Sequence, residues 1–536
     1  MGPMRQMGPM GPMGLIEKSP ESGLALKGPP MIAQGETLGI KSKASQALKG
    51  RPKISAHLGR PFTAWYRGNA NPRVSPWAIS GRPFGAAISG LLACAICLLP
   101  ATAFAADDGK IHLSYWEKWS GAEQLAMQEV VDEFNHSQNR ITIDFLSVGQ
   151  IEQKTLLATA GGDPPDLAGI YLVDVCAFAD RNALTPLSPF MHADGVTPDQ
   201  FNSRYARVYG GMGSYRGEVW AVPTTPSTVA LYYNKDLLRA AGLDPERPPR
   251  TKDELTEMSK KLIVRDAAGK LTQVGFLPQL NSWWGWAFAE WFGGQVFDGK
   301  DVTISTNPAN VQAFTWMEDY TKLYGLENIR RLSSTFGNLS TPDDPFLSGK
   351  VAFVFDGVWR YSYVQQFHPG LNFGVAPWPE AVPGVKDFTI AESDMLVIPR
   401  GAKHPREAWE FLKYLSSPNL AAQGIDEISG VERLCYLQQK ASPLTQWSPF
   451  FTDHNPNPYA DIFRKLAESP HAVATPQMGI WDEYQRNLIL AFDKVRLDIE
   501  TPQQALDECQ QRVEQSWQWH KESLELHKKD VTAATP

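Results

Sequence analysis

Apolar and polar residues alternate along Ile111-His-Leu-Ser-Tyr-Trp116, the period of a half-buried strand, and a polar loop, Glu117-Lys-Trp-Ser-Gly121, follows. Met127, Val130, Val131 and Phe134 then recur at helical spacing. Ile141 to Val148 reads as a second strand, Thr155 to Ala160 as a short helix, and Leu167 to Tyr171 as a third strand after the breaker Gly161-Gly-Asp-Pro-Pro165. Such alternation of strand and helix predicts a parallel sheet with helices on both faces.

Two short strands, Val219 to Pro223 and Val229 to Tyr233, precede a second round of the same pattern. Thr251 and Glu254 have capping-box spacing ahead of a helix with Leu255, Met258 and Leu262 on its core face. Val351 to Phe355 is an apolar strand that runs into Asp356-Gly-Val-Trp359, and Leu396 to Pro399 is another strand. Pro405 opens a helix with Ala408, Phe411, Leu412 and Leu415 inward, stopped by Pro418, and Asp482 to Leu526 is mostly helical in pattern. Two α/β units without a long linker imply two lobes, and open α/β sheets bind ligands at the carboxyl ends of their strands. Two such edges facing each other make a cleft.

Charge divides the chain. Up to Ala105 it carries twelve Lys and Arg against three Asp and Glu, whereas the whole chain has 51 against 58, so the body is acidic and would repel phosphate backbones. Nucleic acid is therefore not an expected partner. Arg82 precedes an uncharged apolar run from Phe84 that ends in Ala103-Phe-Ala105, the parts of a secretory signal. Residues 79–105 are accordingly expected to be a signal peptide, with residues 1–78 an N-terminal extension that is either disordered or an over-extended start. Leu91-Leu-Ala-Cys94 resembles a lipoprotein cleavage box, but the apolar run continues past Cys94, which favours a free periplasmic protein over a lipid-anchored one. Cys176, Cys435 and Cys509 are too few for a disulfide scaffold; Cys509 falls on an apolar helix face as a buried thiol, with a Cys435–Cys509 bond as the alternative.

Several segments resemble, in the same order, the extracellular solute-binding proteins of carbohydrate ABC importers, the maltose-binding-like group. They are Tyr115-Trp-Glu-Lys-Trp-Ser-Gly121, Gly161-Gly-Asp-Pro-Pro-Asp166, Leu184-Thr-Pro-Leu187, and Val219-Trp-Ala-Val-Pro223 through Leu231-Tyr-Tyr-Asn-Lys-Asp236 to Ala241-Gly-Leu243. The series continues with Phe346-Leu-Ser-Gly-Lys-Val-Ala352, Asp356-Gly-Val-Trp359, Gly374-Val-Ala-Pro-Trp378 and Leu396-Val-Ile-Pro399 with Ala408–Leu415. The resemblance implies an α/β, two-lobe periplasmic-binding-protein fold (type II) with discontinuous lobes, a hinge and an interlobe cleft. It puts 106–226 and 386–438 in the N-lobe and 227–385 and 439–536 in the C-lobe, with chain crossings near 224–229, 385–389 and 438–443. It implies a permease of an ABC transporter as partner, allows a chemoreceptor as a further one, and implies a monomer with no cofactor. The chain departs from the pattern at Ile425-Asp-Glu-Ile-Ser-Gly-Val-Glu-Arg433, where many relatives have a glycine- and proline-rich stretch.

A sugar presents hydroxyls around its rim and C–H bonds on its faces, so its site needs aromatic plates and hydrogen-bond acceptors. Fifteen of the 17 tryptophans follow Ala105. The ligand-binding candidates are Trp359, where relatives carry a stacking aromatic, Trp119 and Glu117 in the loop after the first strand, Asp174 past the third, and Asp394 ahead of the returning strand. In the knot Trp283, Trp284 and Trp286, one of the first two is expected to face the cleft and Trp286 to pack inside. Neither catalytic nor metal-ligating residues are expected. The rival enzymatic reading, a secreted glycoside hydrolase, needs two carboxylates about 5–9.5 Å apart, and no spacing selects a pair. A binding protein for a polyamine or a glycerophosphodiester is the other alternative.

Overall fold

In the computed structural model, residues 109–533 are described, except 281–283, 340, 418, 419, 423 and 424. The expected extension (1–78), the signal peptide (79–105), Trp283 and the helix-stopping Pro418 lie outside the described residues.

The first sheet contains β1 (Ile111–Glu117), β2 (Ile141–Ser147), β3 (Leu167–Tyr171), β4 (Ala221–Pro226) and a late strand, Ser393–Val397. Its order is β2-β1-β3, then Ser393–Val397, then β4. The strands β1, β2 and β3 are parallel, but Ser393–Val397 runs antiparallel to both β3 and β4. The uniformly parallel sheet predicted from alternation is thus corrected. This strand returns from the other lobe and enters the sheet at the cleft edge, where the parallel strands end, so it must run the opposite way. Around the sheet lie α1 (Gly121–Ser137), α2 (Ile151–Ala160) and α3 (Leu172–Asp180). The core of this lobe joins Leu113, Tyr115, Phe134 and Ile170 to Phe411, Leu412 and Leu415 of the helix Pro405–Ser416.

The second sheet is built on β5 (Val229–Asn234), which is buried along its whole length. Alternate side chains of β5 enter two different cores. Val229, Leu231 and Tyr233 join Phe276, Trp291, Phe355 and Trp481, while Ala230 and Tyr232 join Phe346 and Phe463 on the opposite face. Leu271–Phe276 is β6, Val351–Gly357 is β7 and Phe373–Ala376 is β8; β7 pairs antiparallel with β5 and parallel with β6. The helix Lys252–Lys261 begins with half of the anticipated capping box. Thr251 Oγ1 accepts from the Glu254 N–H (3.1 Å), but the Glu254 carboxylate turns to the Arg250 N–H (2.9 Å) and the Arg247 guanidinium (2.8 Å). Two helices, Trp481–Arg496 and Pro502–Ala533, complete this lobe.

The lobes are joined where β4 ends at Pro226 and β5 starts at Val229. The return path, Thr389–Ile390 to Ser393, lies beside this link, and the Ser227 N–H donates to the Glu392 carbonyl (2.7 Å). After the helix Gly430–Leu437 the chain interleaves between lobes: Ala441 and Phe463 pack in the second, Leu444 and Phe451 in the first. Cys176, Cys435 and Cys509 are buried free thiols. Among the described residues no helix is long and apolar enough to cross a membrane.

Candidate functional site

The carboxyl ends of β1, β3 and β4 and the start of Ser393–Val397 share one edge of the first sheet, because Tyr171 is the register partner of Asp394 and Pro226 that of Ser393. Here Lys118 Nζ lies 3.0 Å from Asp394 Oδ1, 3.2 Å from Glu117 Oε1 and 3.4 Å from the Ile170 carbonyl oxygen. It also sits 4.7 Å above the Tyr171 ring and 5.1 Å from the Trp119 ring. Tyr115 Oη donates to Glu117 Oε2 (2.7 Å), the Lys118 N–H to Glu117 Oε1 (2.8 Å), and Thr225 Oγ1 to Asp394 Oδ2 (2.8 Å). Gly169 makes this cluster fit. A Cβ there would stand 1.8 Å from Glu117 Oε2, so the bare backbone of β3 is what the carboxylate lies against.

The two carboxylates are not electrostatically equal. Burial raises the pKa of Glu117 above its ordinary value, only partly offset by Lys118 and the Tyr115 hydrogen bond. Burial opposes ionisation of Asp394 too, but Lys118 and Lys440 outweigh it and hold that carboxyl low. Lys118 and Asp394 therefore form the ion pair proper, with Glu117 as its hydrogen-bonded flank.

Sequence candidates Glu117, Trp119 and Asp394 are brought together here. Glu117 is 2% exposed and Trp119 6%, because the loop folds inward and Ser147 Oγ donates to the Trp119 carbonyl (2.6 Å). Asp174 sits in the first turn of α3, within electrostatic reach of Glu152 of α2 and of Asp482 at the start of Trp481–Arg496 in the other lobe. Burial first, and then the charges of Glu152 and Asp482, raise its pKa to about 7. An unfolded aspartate titrates near 4, so the folded protein holds a proton that the unfolded chain releases. This contribution to stability is complete below about pH 4 and is lost as pH rises to about 7. Thermal melts from pH 4 to 8 are expected to show a shallower decline for Asp174→Asn than for the wild type.

On the opposing edge, β7 ends at Gly357 and delivers Trp359, half-buried, to the head of the helix Arg360–Phe367. A Cβ on Gly357 would lie 2.2 Å from the Trp359 indole, so the ring folds back over bare backbone. Trp284, 5% exposed, has its ring centroid 5.9 Å from that of Trp359 at 37°. Its indole hydrogen-bonds the Glu392 carboxylate, which also takes a hydrogen bond from Thr475 Oγ1. Trp286 is buried edge-on against Trp481 (5.7 Å, 88°).

Four residues of this region carried no sequence signal: Lys118, Glu123, Tyr363 and Lys440. Lys440 Nζ is 2.7 Å from Glu123 Oε1 and 5.9 Å from the Trp119 ring centroid. Tyr363, on the second lobe, is pushed up in pKa by burial and then by Glu123, Asp356 and Asp394, which places the first-lobe wall within its electrostatic reach. Lys440 is 317 residues from Glu123 in the chain, so no local pattern could pair them. Among the described residues no group of three or more His, Cys, Asp or Glu side chains is arranged to hold a metal ion.

Two α/β lobes hinged on shared strands, with a polar cluster on one edge and an indole pair on the other, define a ligand-trapping binding protein. The chain belongs to the bacterial extracellular solute-binding protein family, whose model matches residues 118–422. It is 26% identical over 450 residues to the sn-glycerol-3-phosphate-binding periplasmic protein UgpB of Pectobacterium atrosepticum, covering 80% of this chain and 95% of that protein. The structure of CpMnBP1 with mannotriose bound superposes with a TM-score of 0.65 at 27% identity, over 75% of this chain and 99% of that one. The MalE domain of Bdellovibrio bacteriovorus bound to maltotriose shares the fold, with a TM-score of 0.59 at 19% identity, over 76% of this chain and 99% of that one.

Proposed function

We propose that this protein is the ligand-capturing component of an ABC importer, which closes on a sugar or short oligosaccharide and delivers it to the permease subunits. The observation that carries this reading is the pairing of opposed chemistries at the two sheet edges. The indoles of Trp284 and Trp359 offer plates for a sugar face, while the opposite edge offers the exposed Tyr171 over the Lys118, Asp394 and Glu117 cluster, whose charges are met internally. Asp174, in the first turn of α3, adds an acidic rim to this wall. The similarity to CpMnBP1, whose structure has mannotriose bound, supports a carbohydrate ligand.

The protein binds without catalysis in this reading. A glycosidase needs one carboxyl free to protonate a leaving group and a second free to attack or to activate water. Here both oxygens of Glu117 accept internal hydrogen bonds and Asp394 is paired with Lys118. We assign the lobes as 106–226 with 386–438 and 227–385 with 439–536, with Leu444 and Phe451 crossing back into the first core. The protein works as a periplasmic monomer exported by residues 79–105, and docking to a chemoreceptor would be an added role.

A thermal-shift screen of the exported protein against mono- and oligosaccharides, mannotriose included, tests the proposal. Ligand at a hundredfold excess over Kd stabilises the native state by about 2.7 kcal/mol, so a selective rise in Tm without chemical turnover is expected. No response to any saccharide, or conversion of the bound sugar, would refute it.

A further inference from the structure

Relatives of this chain are named for two chemically different ligands, a phosphomonoester and a neutral oligosaccharide. The two make opposite electrostatic demands. A phosphate needs cations, or uncompensated helix N-termini, that are open to it. A neutral sugar needs a wall whose charges already balance, so that no ion is left buried without a partner.

At the ends of β1, β3, β4, β6 and β7 and the start of Ser393–Val397, the only Lys or Arg within two residues among those described is Lys118. It is already held between Asp394 and Glu117. Arg360, one residue beyond Trp359, is 1% exposed and held between Asp344 and Asp356. The N-terminus of α1 at the first edge is answered as well, since its first turn carries Glu123.

Among the described residues Lys440 is a further cation of this wall, brought across from the segment after Gly430–Leu437. Its Nζ faces the Trp119 ring at 5.9 Å and lies close enough to Asp394 to help hold that carboxyl ionised. Its side chain is 3% exposed and that of Glu123 is 27% exposed, so of this pair it is the carboxylate that meets solvent. We infer that Glu123 is a specificity-determining residue: by pairing with Lys440 it closes the cleft to phosphorylated solutes and leaves it matched to uncharged, hydroxyl-rich ones. This inference rests on the carbohydrate reading for its ligand class, while the role of Glu123 can be tested separately.

The test is calorimetric titration of the exported protein with mannotriose, glycerol 3-phosphate and inorganic phosphate, on wild type, Glu123→Gln, Lys440→Met and the double variant. Glu123→Gln keeps shape and frees the ammonium. It is expected to raise affinity for both phosphates at least tenfold, with a gain that shrinks as salt rises and disappears in the double variant. Thermal melts check folding, and Glu123→Ser serves if the glutamine variant does not fold. Wild type that prefers glycerol 3-phosphate to mannotriose, or a folded Glu123 variant with unchanged phosphate affinity, overturns the inference. Wild type silent to every saccharide, together with the phosphate gain in Glu123→Gln, would sink the carbohydrate reading and uphold the role of Glu123.

Discussion

Replacing Trp359 with alanine is expected to lower sugar affinity about thirtyfold, the roughly 2 kcal/mol that marks a buried tryptophan at the centre of a recognition site. The loss should be large because the indole is set before any ligand arrives. Its ring lies over the bare Cα of Gly357, touches the Trp284 ring, and packs against both cores of the second lobe. Little side-chain entropy is left to lose on stacking. Trp359→Phe keeps a ring and should retain part of the affinity. Calorimetry with the saccharide that best stabilises the wild type measures both, and a Trp359→Ala affinity within threefold of wild type would remove this residue from the site.

Arg360→Met is expected to cost about 3–5 kcal/mol of folding stability, the range for removing one member of a buried ionic group. The guanidinium lies 2.8 Å from Asp344 Oδ1, and its Nε donates to Asp356 Oδ2 (2.6 Å); both aspartates are fully buried. Each carboxylate is tied into the local backbone as well. Asp344 Oδ1 accepts from the Phe346 and Leu347 N–H groups (2.9 and 3.0 Å), and Asp356 Oδ1 from the Gly357 N–H (2.7 Å). Burial already raises the pKa of Asp356 with the arginine present, and without it two like charges would share an apolar surround. Because the trio brackets Trp359, ligand affinity should fall together with stability. Urea unfolding provides the measurement. The neutral combination of Asp344→Asn, Asp356→Asn and Arg360→Met should recover part of the loss, since the main penalty in the single variant is stranded charge. A single variant within 1 kcal/mol of wild type would contradict this.

Much of the fold could be read from periodicity. Alternation places the third strand at Leu167–Tyr171, where it occurs, and the first strand ends one residue beyond its apolar–polar alternation. Local signals failed where the deciding contact is distant. The strand ahead of Pro399 is apolar whichever way it runs, and only its arrival from the other lobe sets it antiparallel. Thr251 and Glu254 have the right spacing for a capping box, yet Arg247 and Arg250 draw the glutamate away.

The site divides in the same manner. Glu117, Asp394 and Trp359 stand out in the sequence because acids and indoles at strand ends suit a sugar. The lysines that engage those acids do not, because Lys118 meets Asp394 only after the hinge strand returns. Loop position also says little about exposure. Trp119 follows a strand end in a polar loop, yet that loop folds inward and buries it.

In this reading two lobes close over an uncharged ligand, and small-angle X-ray scattering of the exported protein with and without a stabilising oligosaccharide observes that motion directly. A ligand that selects the closed form shifts the population toward it, so the radius of gyration should fall on saturation, and with Trp359→Ala the same fall should need about thirtyfold more sugar. Saturating sugar that leaves the wild-type scattering curve unchanged would contradict the mechanism.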